Sequence, residues 1–170
     1  GYAEQSQKRF ELGLIRNHYV GRTFIEPTQN IRSLGVKLKL SSTKSIVKNK
    51  SIILIDDSIV RGTTCNKIVK MLYESGAKEV HVRIACPEIK FPDFYGVDMP
   101  TKEELLAHNK NNEEMCKEIG AKSLKFLSLK GLYMALIGEN RNNNFPQFSD
   151  HYFTGEYVIR PTDSIEGFKI

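Results

Sequence analysis

The stretch Ser51–Ser75, SIILIDDSIVRGTTCNKIVKMLYES, constrains the fold more than any other part of the chain. Ile52–Ile55 is an apolar run rich in β-branched residues, and Asp56 and Asp57 follow it at once. A short loop comes next, Ser58-Ile59-Val60-Arg61-Gly62-Thr63-Thr64. Beyond it Ile68, Val69, Leu72 and Tyr73 recur at intervals of one and three, which predicts a helix. Strand, acid pair, glycine-hydroxyl loop and helix follow in the order of a phosphate cradle. The loop N–H groups and the free N–H groups of the helix start converge on one spot, and the helix dipole adds positive potential there.

The acid pair sharpens this reading. Two adjacent carboxylates at the end of a buried strand repel each other and lose hydration, a cost that cations or hydroxyls offset. A sugar phosphate with magnesium brings both. The cradle would hold the monophosphate, while Asp56 and Asp57 would hold ribose hydroxyls or magnesium-bound water. The plain alternative is an ordinary βα turn in which one acid caps the helix and the other faces water.

Ser75-Gly76 reads as the end of that helix. Glu79–Cys86 then alternates, with Val80, Val82 and Ile84 on one face. Strand, helix and strand predict a βαβ unit and an α/β fold: a parallel sheet with helices on both faces and Ile52–Ile55 as a central strand. Ligands of such sheets bind at the carboxyl ends of the strands, where Asp56 and Asp57 fall.

Elsewhere the pattern predicts a helix from Gly1 to about Leu12 that ends near Gly13. A strand is expected at Val36–Leu40 with Lys37 and Lys39 on one basic face, either a solvated edge or a positive rim for pyrophosphate. Lys48-Asn49-Lys50 reads as a turn. In His18–Glu26, HYVGRTFIE, Gly21 is a hinge, Arg22 could grip a phosphate and Thr23 could hydrogen-bond one; the segment reads equally as a surface loop. Pro87–Pro100 is an ordered loop, either over the ligand or packed under the sheet rim. A helix is expected at Thr101–His108, with Thr101 as N-cap and Glu104 closing a capping box. Further helices are expected at Glu113–Ile119, ending at Gly120, and at Lys130–Ile137 with its apolar side inward. Ser123–Leu127 and part of Phe153–Ile159 read as strands, and Asn140–Gln147 as a mobile polar loop.

A chain of 170 residues suits one domain with a real core. The net charge of +5 suits an anionic ligand. The charges are dispersed, with no Cys/His finger or compact basic arm, so no nucleic-acid partner is expected. No apolar run approaches the roughly 20 residues of a membrane span, so no membrane partner is expected either. Cys65, Cys86 and Cys116 are far apart and odd in number, which reads as reduced thiols of a cytoplasmic protein. His18, His81, His108 and His151 are read as solvated or structural.

Ile52–Thr64 resembles the signature of the type I phosphoribosyltransferases. With YVGRTFI at Tyr19–Ile25, YGVDMP at Tyr95–Pro100 and FTGEY at Phe153–Tyr157 in the same order, nearly the whole chain resembles the amidophosphoribosyltransferase family. The resemblance implies a partial phosphoribosyltransferase domain over residues 1–170, incomplete at its amino terminus, with the glutaminase domain absent. It implies phosphoribosyl pyrophosphate and glutamine-derived ammonia as substrates, 5-phosphoribosylamine as product, magnesium as cofactor, and a homo-oligomer in the full-length enzyme.

By the same resemblance, Asp56 and Asp57 are catalytic and hold the metal. Ser58, Arg61, Gly62, Thr63 and Thr64 bind substrate. Tyr19, Arg22, Thr23 and Ile25 belong to a lid that closes over it, with Arg22 catalytic, and Lys37 and Lys39 contribute to substrate binding. Some members carry a four-iron cluster on cysteines. Asp93, Ser149 and Tyr152 stand at three of those positions, so the chain resembles the branch without an iron–sulfur cluster. Two other readings stay open: an inactive phosphoribosyl-ligand-binding module, and a base phosphoribosyltransferase, which would lack the YVGRTFI and FTGEY stretches.

Overall fold

The computed structural model describes residues 1–16, 40–97 and 101–159. Its centre is a parallel sheet of β3 (Ser51–Asp56), β4 (Glu79–Ile84) and β5 (Ser123–Phe126), in the order β3-β4-β5. Ile52 pairs with Val80, Leu54 with Val82 and Asp56 with Ile84, while Val82 and Ile84 pair on their other side with Leu124 and Phe126. This register puts Ile52, Leu54, Val80, Val82, Ile84, Leu124 and Phe126 on one face and leaves Ile53 and Ile55 on the other. The alternation read from Glu79–Cys86 is realised, with Val80, Val82 and Ile84 buried.

Two helices cover that face. Helix α3 (Thr63–Glu74) buries Cys65, Ile68, Val69 and Leu72, a stripe spaced three, one and three apart. It ends in a Schellman turn: the Ala77 N–H donates to Leu72 O at 3.1 Å and the Gly76 N–H to Tyr73 O at 2.9 Å, with Gly76 at φ +94°. Helix α5 (Asn112–Ile119) starts from a capping box between Asn111 and Glu114 and ends at Gly120, burying Met115 and Ile119. These side chains and the strands form one core. The chain is thus α/β, with a parallel sheet flanked by helices.

Smaller elements surround it. Strand β1 (Leu14–Arg16) pairs antiparallel with β2 (Leu40–Ser42), and α2 (Lys44–Val47) leads into the turn at Lys48-Asn49. A 3₁₀ turn (Lys102–Glu104) precedes α4 (Leu106–Asn109). Helix α6 (Leu129–Ile137) and α7 (His151–Thr154) follow β5.

Several expectations are corrected. Among the described residues β3 is the edge of the parallel sheet and β4 its centre. The opposite sheet face is half open, with Ile55 47% exposed, and a cavity of about 1050 Å³ runs beside β3, lined by Phe10, Leu12, Leu14, Ile53 and Ile55. An apolar β-branched run looks the same in a central strand and in an edge strand, because neighbours are a tertiary property.

The amino-terminal helix α1 spans only Tyr2–Gln5, since Gln7 takes φ +54° and breaks it. The helix expected over Thr101–His108 is broken at Leu105, whose backbone is extended. Helix α6 buries only Tyr133 and leaves Met134 and Leu136 exposed. The FTG of Phe153–Tyr157 begins in helix α7 and turns at Gly155, without a strand among the described residues. The Asn140–Gln147 tract is a loop tied to Asp150 and Glu156 by Arg141.

Candidate phosphate and acid site

Strand β3 delivers Asp56 and Asp57 to the carboxyl end of the sheet. The Asp57 N–H donates to Asp56 Oδ1 at 3.1 Å, and the Ser58 hydroxyl donates to Asp57 Oδ1 at 2.9 Å. Ile59, 3% exposed, anchors the loop in the core, and Cys65, 3% exposed, anchors the first turn of α3. Between them Gly62 sits at φ +74° as the N-cap of α3 and offers no side-chain cap. The first-turn N–H groups, those of Thr63 and Thr64 included, therefore receive no acceptor from the cap residue. The helix runs for twelve residues, long enough for its dipole to add positive potential at this end.

The acids feel each other and the protein. Burial pushes the Asp56 carboxyl above its ordinary range, the Asp57 N–H pulls it back, and the charge of Asp57 pushes it up again. Two thiols register the same negative field. Burial, then the charge of Asp56, pushes Cys65 up to about 12; burial, then Asp57 and Asp56, pushes Cys86 up to about 11. Both are therefore mostly protonated at neutral pH and weak as nucleophiles.

Among the described residues, no cationic side chain pairs with Asp56 or Asp57, and no three His, Cys, Asp or Glu side chains converge as a metal cage. Two hard carboxylates fit a small divalent cation that takes its other ligands from a bound anion and water.

The structure brings Asp56, Asp57, Ser58, Arg61, Gly62, Thr63 and Thr64 into one loop and helix start. Arg61 donates from Nε and Nη2 to the two oxygens of Glu104 at 3.1 and 3.2 Å. Sequence reading assigned Glu104 to a capping box and missed this contact, because the partners are 43 residues apart. Tyr19, Arg22, Thr23, Ile25, Lys37 and Lys39 lie outside the described residues.

Asp93, Ser149 and Tyr152 meet around His151. The Ser149 hydroxyl is 3.0 Å from His151 Nδ1, His151 Nε2 is 2.8 Å from Asp93 Oδ1, and the Tyr152 hydroxyl donates to the same oxygen at 3.0 Å. Asp93 Oδ2 accepts the N–H groups of Tyr95 and Val97 at 2.9 and 2.7 Å. Backbone N–H groups of Lys90 and Phe91 bond Tyr152 O, so the Pro87–Val97 loop packs on α7.

No family model matches the chain. Curated relatives do. The amidophosphoribosyltransferase of Rhizobium etli is 59% identical over 164 residues, which are 96% of this chain and 33% of that protein. The amidophosphoribosyltransferase of Staphylococcus aureus is 52% identical over 157 residues, 92% of this chain and 32% of that protein. Among solved structures, the glutamine phosphoribosylpyrophosphate amidotransferase of B. subtilis, complexed with ADP and GMP, matches with a TM-score of 0.78 and 48% identity over 92% of this chain and 34% of that one. The chain spans about a third of the length of the curated relatives it matches. Sharing about half its residues and its fold with these proteins over nine-tenths of its length, the chain matches the amidophosphoribosyltransferases, type I phosphoribosyltransferases, at high identity along about a third of their length.

Proposed function

We propose that this loop and helix start hold the 5-phosphate of phosphoribosyl pyrophosphate. The protein that carries them would transfer ammonia to the anomeric carbon in purine biosynthesis. The bond to pyrophosphate breaks with its electron pair going to the leaving group, a carbon–nitrogen bond forms from the ammonia lone pair, and the nitrogen then loses a proton. The products are 5-phosphoribosylamine and pyrophosphate. The observation that carries this reading is the glycine-capped start of α3 directly beside an acid pair that no described cation neutralises.

The roles follow from charge and distance. A phosphate anchored remote from the reacting carbon lets binding energy position that carbon. Asp56 and Asp57 favour positive charge as it develops on the ribose ring. They are also the residues that would hold magnesium together with ligand oxygens, and magnesium when bound neutralises the departing pyrophosphate. Arg22, Tyr19, Thr23 and Ile25 are assigned to a lid that keeps water from the activated sugar. Lys37 and Lys39 are assigned to its positive rim. Ammonia would come from glutamine in a glutaminase domain of the same protein, a cytoplasmic homo-oligomer.

The test pairs calorimetry with turnover. This chain should bind ribose 5-phosphate weakly. In the full-length parent, replacing Asp56 and Asp57 together by Asn should lower ammonia-dependent turnover about 100-fold or more. It should not destabilise the fold at pH 7, because burial already disfavours the Asp56 charge. Unchanged turnover would overturn the assignment of the site.

A further inference from the structure

The segment Thr101–Ala107 touches the turn into α3 at three successive residues. The Leu106 N–H donates to Val60 O at 2.9 Å. Glu104 takes the Nε and Nη2 edge of Arg61. Leu106 Cδ2 lies where a Cβ on Gly62 would stand 2.6 Å away, so the side chain packs directly on the glycine backbone. Val60, Arg61 and Gly62 are thus held from one side by a stretch more than 40 residues away in sequence.

The break at Leu105 makes this possible. In a continuous α-helix residues 104 and 106 would point about 200° apart. Here a 3₁₀ turn ends at Glu104, Leu105 is extended at φ −76° and ψ 114°, and α4 begins at Leu106. Glu104 and Leu106 can then both reach the loop, while Leu105 itself is fully buried. Asn109 secures the break: its Nδ2 donates to the carbonyls of Lys102, Glu103 and Leu105 at 3.2, 2.8 and 2.9 Å. Lys102 O and Leu105 O also accept the backbone N–H groups of Leu105 and His108 at 3.1 Å each, so the Asn109 amide adds a second donor to both and bonds Glu103 O as well.

We infer that this broken turn is the template of the phosphate loop and that Glu104 is a positioning residue for Arg61. The inference rests on the cradle reading proposed above. Arg61 and Glu104 are 45% and 50% exposed in their side chains, and a pair that open adds little to fold stability. Its consequence is geometric. A two-point grip on Nε and Nη2 fixes the guanidinium plane and leaves the Nη1 edge for an anion. It also keeps Arg61 from falling onto Asp57, four residues earlier in the same loop, where it would neutralise a carboxylate needed for ligand.

The test uses this chain, with amide hydrogen exchange and ribose 5-phosphate calorimetry side by side. Glu104→Ala should speed exchange at Arg61–Thr64 and raise the Kd for ribose 5-phosphate about fivefold, the scale of one oriented charge-assisted contact. The melting temperature should barely move. Glu104→Gln should lie between the two. In an Arg61→Ala background, Glu104→Ala should have no further effect on binding, and Leu106→Ala should speed exchange at Gly62. Unchanged exchange and Kd in Glu104→Ala, or equal losses with and without Arg61, would overturn the inference. If the wild-type chain fails to bind ribose 5-phosphate while loop exchange still depends on Glu104, the cradle reading fails and the positioning role stands.

Discussion

His151 Nε2 lies 2.8 Å from Asp93 Oδ1, and the two side chains are 2% and 1% exposed although 58 residues separate them. This contact joins the loop after β4 to α7. It leaves neither partner unsatisfied, since Asp93 also accepts from Val97, Tyr95 and Tyr152, and His151 also meets Ser149. Burial pushes the Asp93 carboxyl up, but the Val97 and Tyr95 N–H groups, His151 and Tyr152 together hold it below the ordinary carboxylate range.

Asp93→Asn should therefore destabilise the chain at pH 7 by about 2 kcal/mol, the value of hydrogen bonds to a buried charge, and lower its melting temperature by about 6 °C. Because the folded pKa is depressed, the contribution is complete above the unfolded pKa of about 3.9 and is lost as pH falls through the folded value. The gap between the melting curves of wild type and variant should begin to close below about pH 4 and vanish only once pH has fallen past the folded value. A gap that persists in acid would show that the carboxylate charge is not its source.

The same three positions bear on metal content. Asp93, Ser149 and Tyr152 present oxygen atoms already engaged with one another through His151. Protein purified anaerobically should contain no stoichiometric iron or acid-labile sulfide, and colorimetric assay of both settles it. An equimolar cluster would require ligands other than these side chains.

Gly62 combines a left-handed φ of +74° with the near contact to Leu106. Gly62→Ala should cost about 1–2 kcal/mol from backbone strain, and should weaken ribose 5-phosphate binding more than tenfold by moving the start of α3. Leu106→Ala empties a core position and costs stability of its own, so the comparison is made within that background, where the collision is gone and the strain remains. There Gly62→Ala should still cost about 1 kcal/mol, read by denaturant titration, while calorimetry reads binding. No loss of stability on adding Gly62→Ala to Leu106→Ala would mean that the φ angle carries no cost.

The raised thiols give a chemical probe of the acid pair. With Cys65 pushed up to about 12 and Cys86 to about 11, alkylation by iodoacetamide at pH 8 should be about 100-fold slower at Cys86 and about 1000-fold slower at Cys65 than at a free thiol. Replacing Asp56 and Asp57 together by Asn should speed the reaction at Cys86, whose thiol both charges raise. Mass spectrometry of timed digests measures each site. Reaction at free-thiol rates in the folded chain would contradict the burial and the field alike.

What the sequence determined by itself is the local run from strand to helix. The β-branched residues of Ile52–Ile55, the two acids, Gly62 and the apolar stripe of α3 each act over a few residues, so their order alone dictates strand, loop and helix start. The alternation of Glu79–Ile84 and the caps of α5 are legible for the same reason. Only the tertiary structure decided that, among the described residues, β4 rather than β3 lies between its neighbours, since strand order depends on which distant segments pair. It also decided that Glu104 serves Arg61 instead of its own helix, and that Asp93 meets His151. Those contacts join residues 43 and 58 positions apart, and neither a helical nor a strand period carries information over that distance.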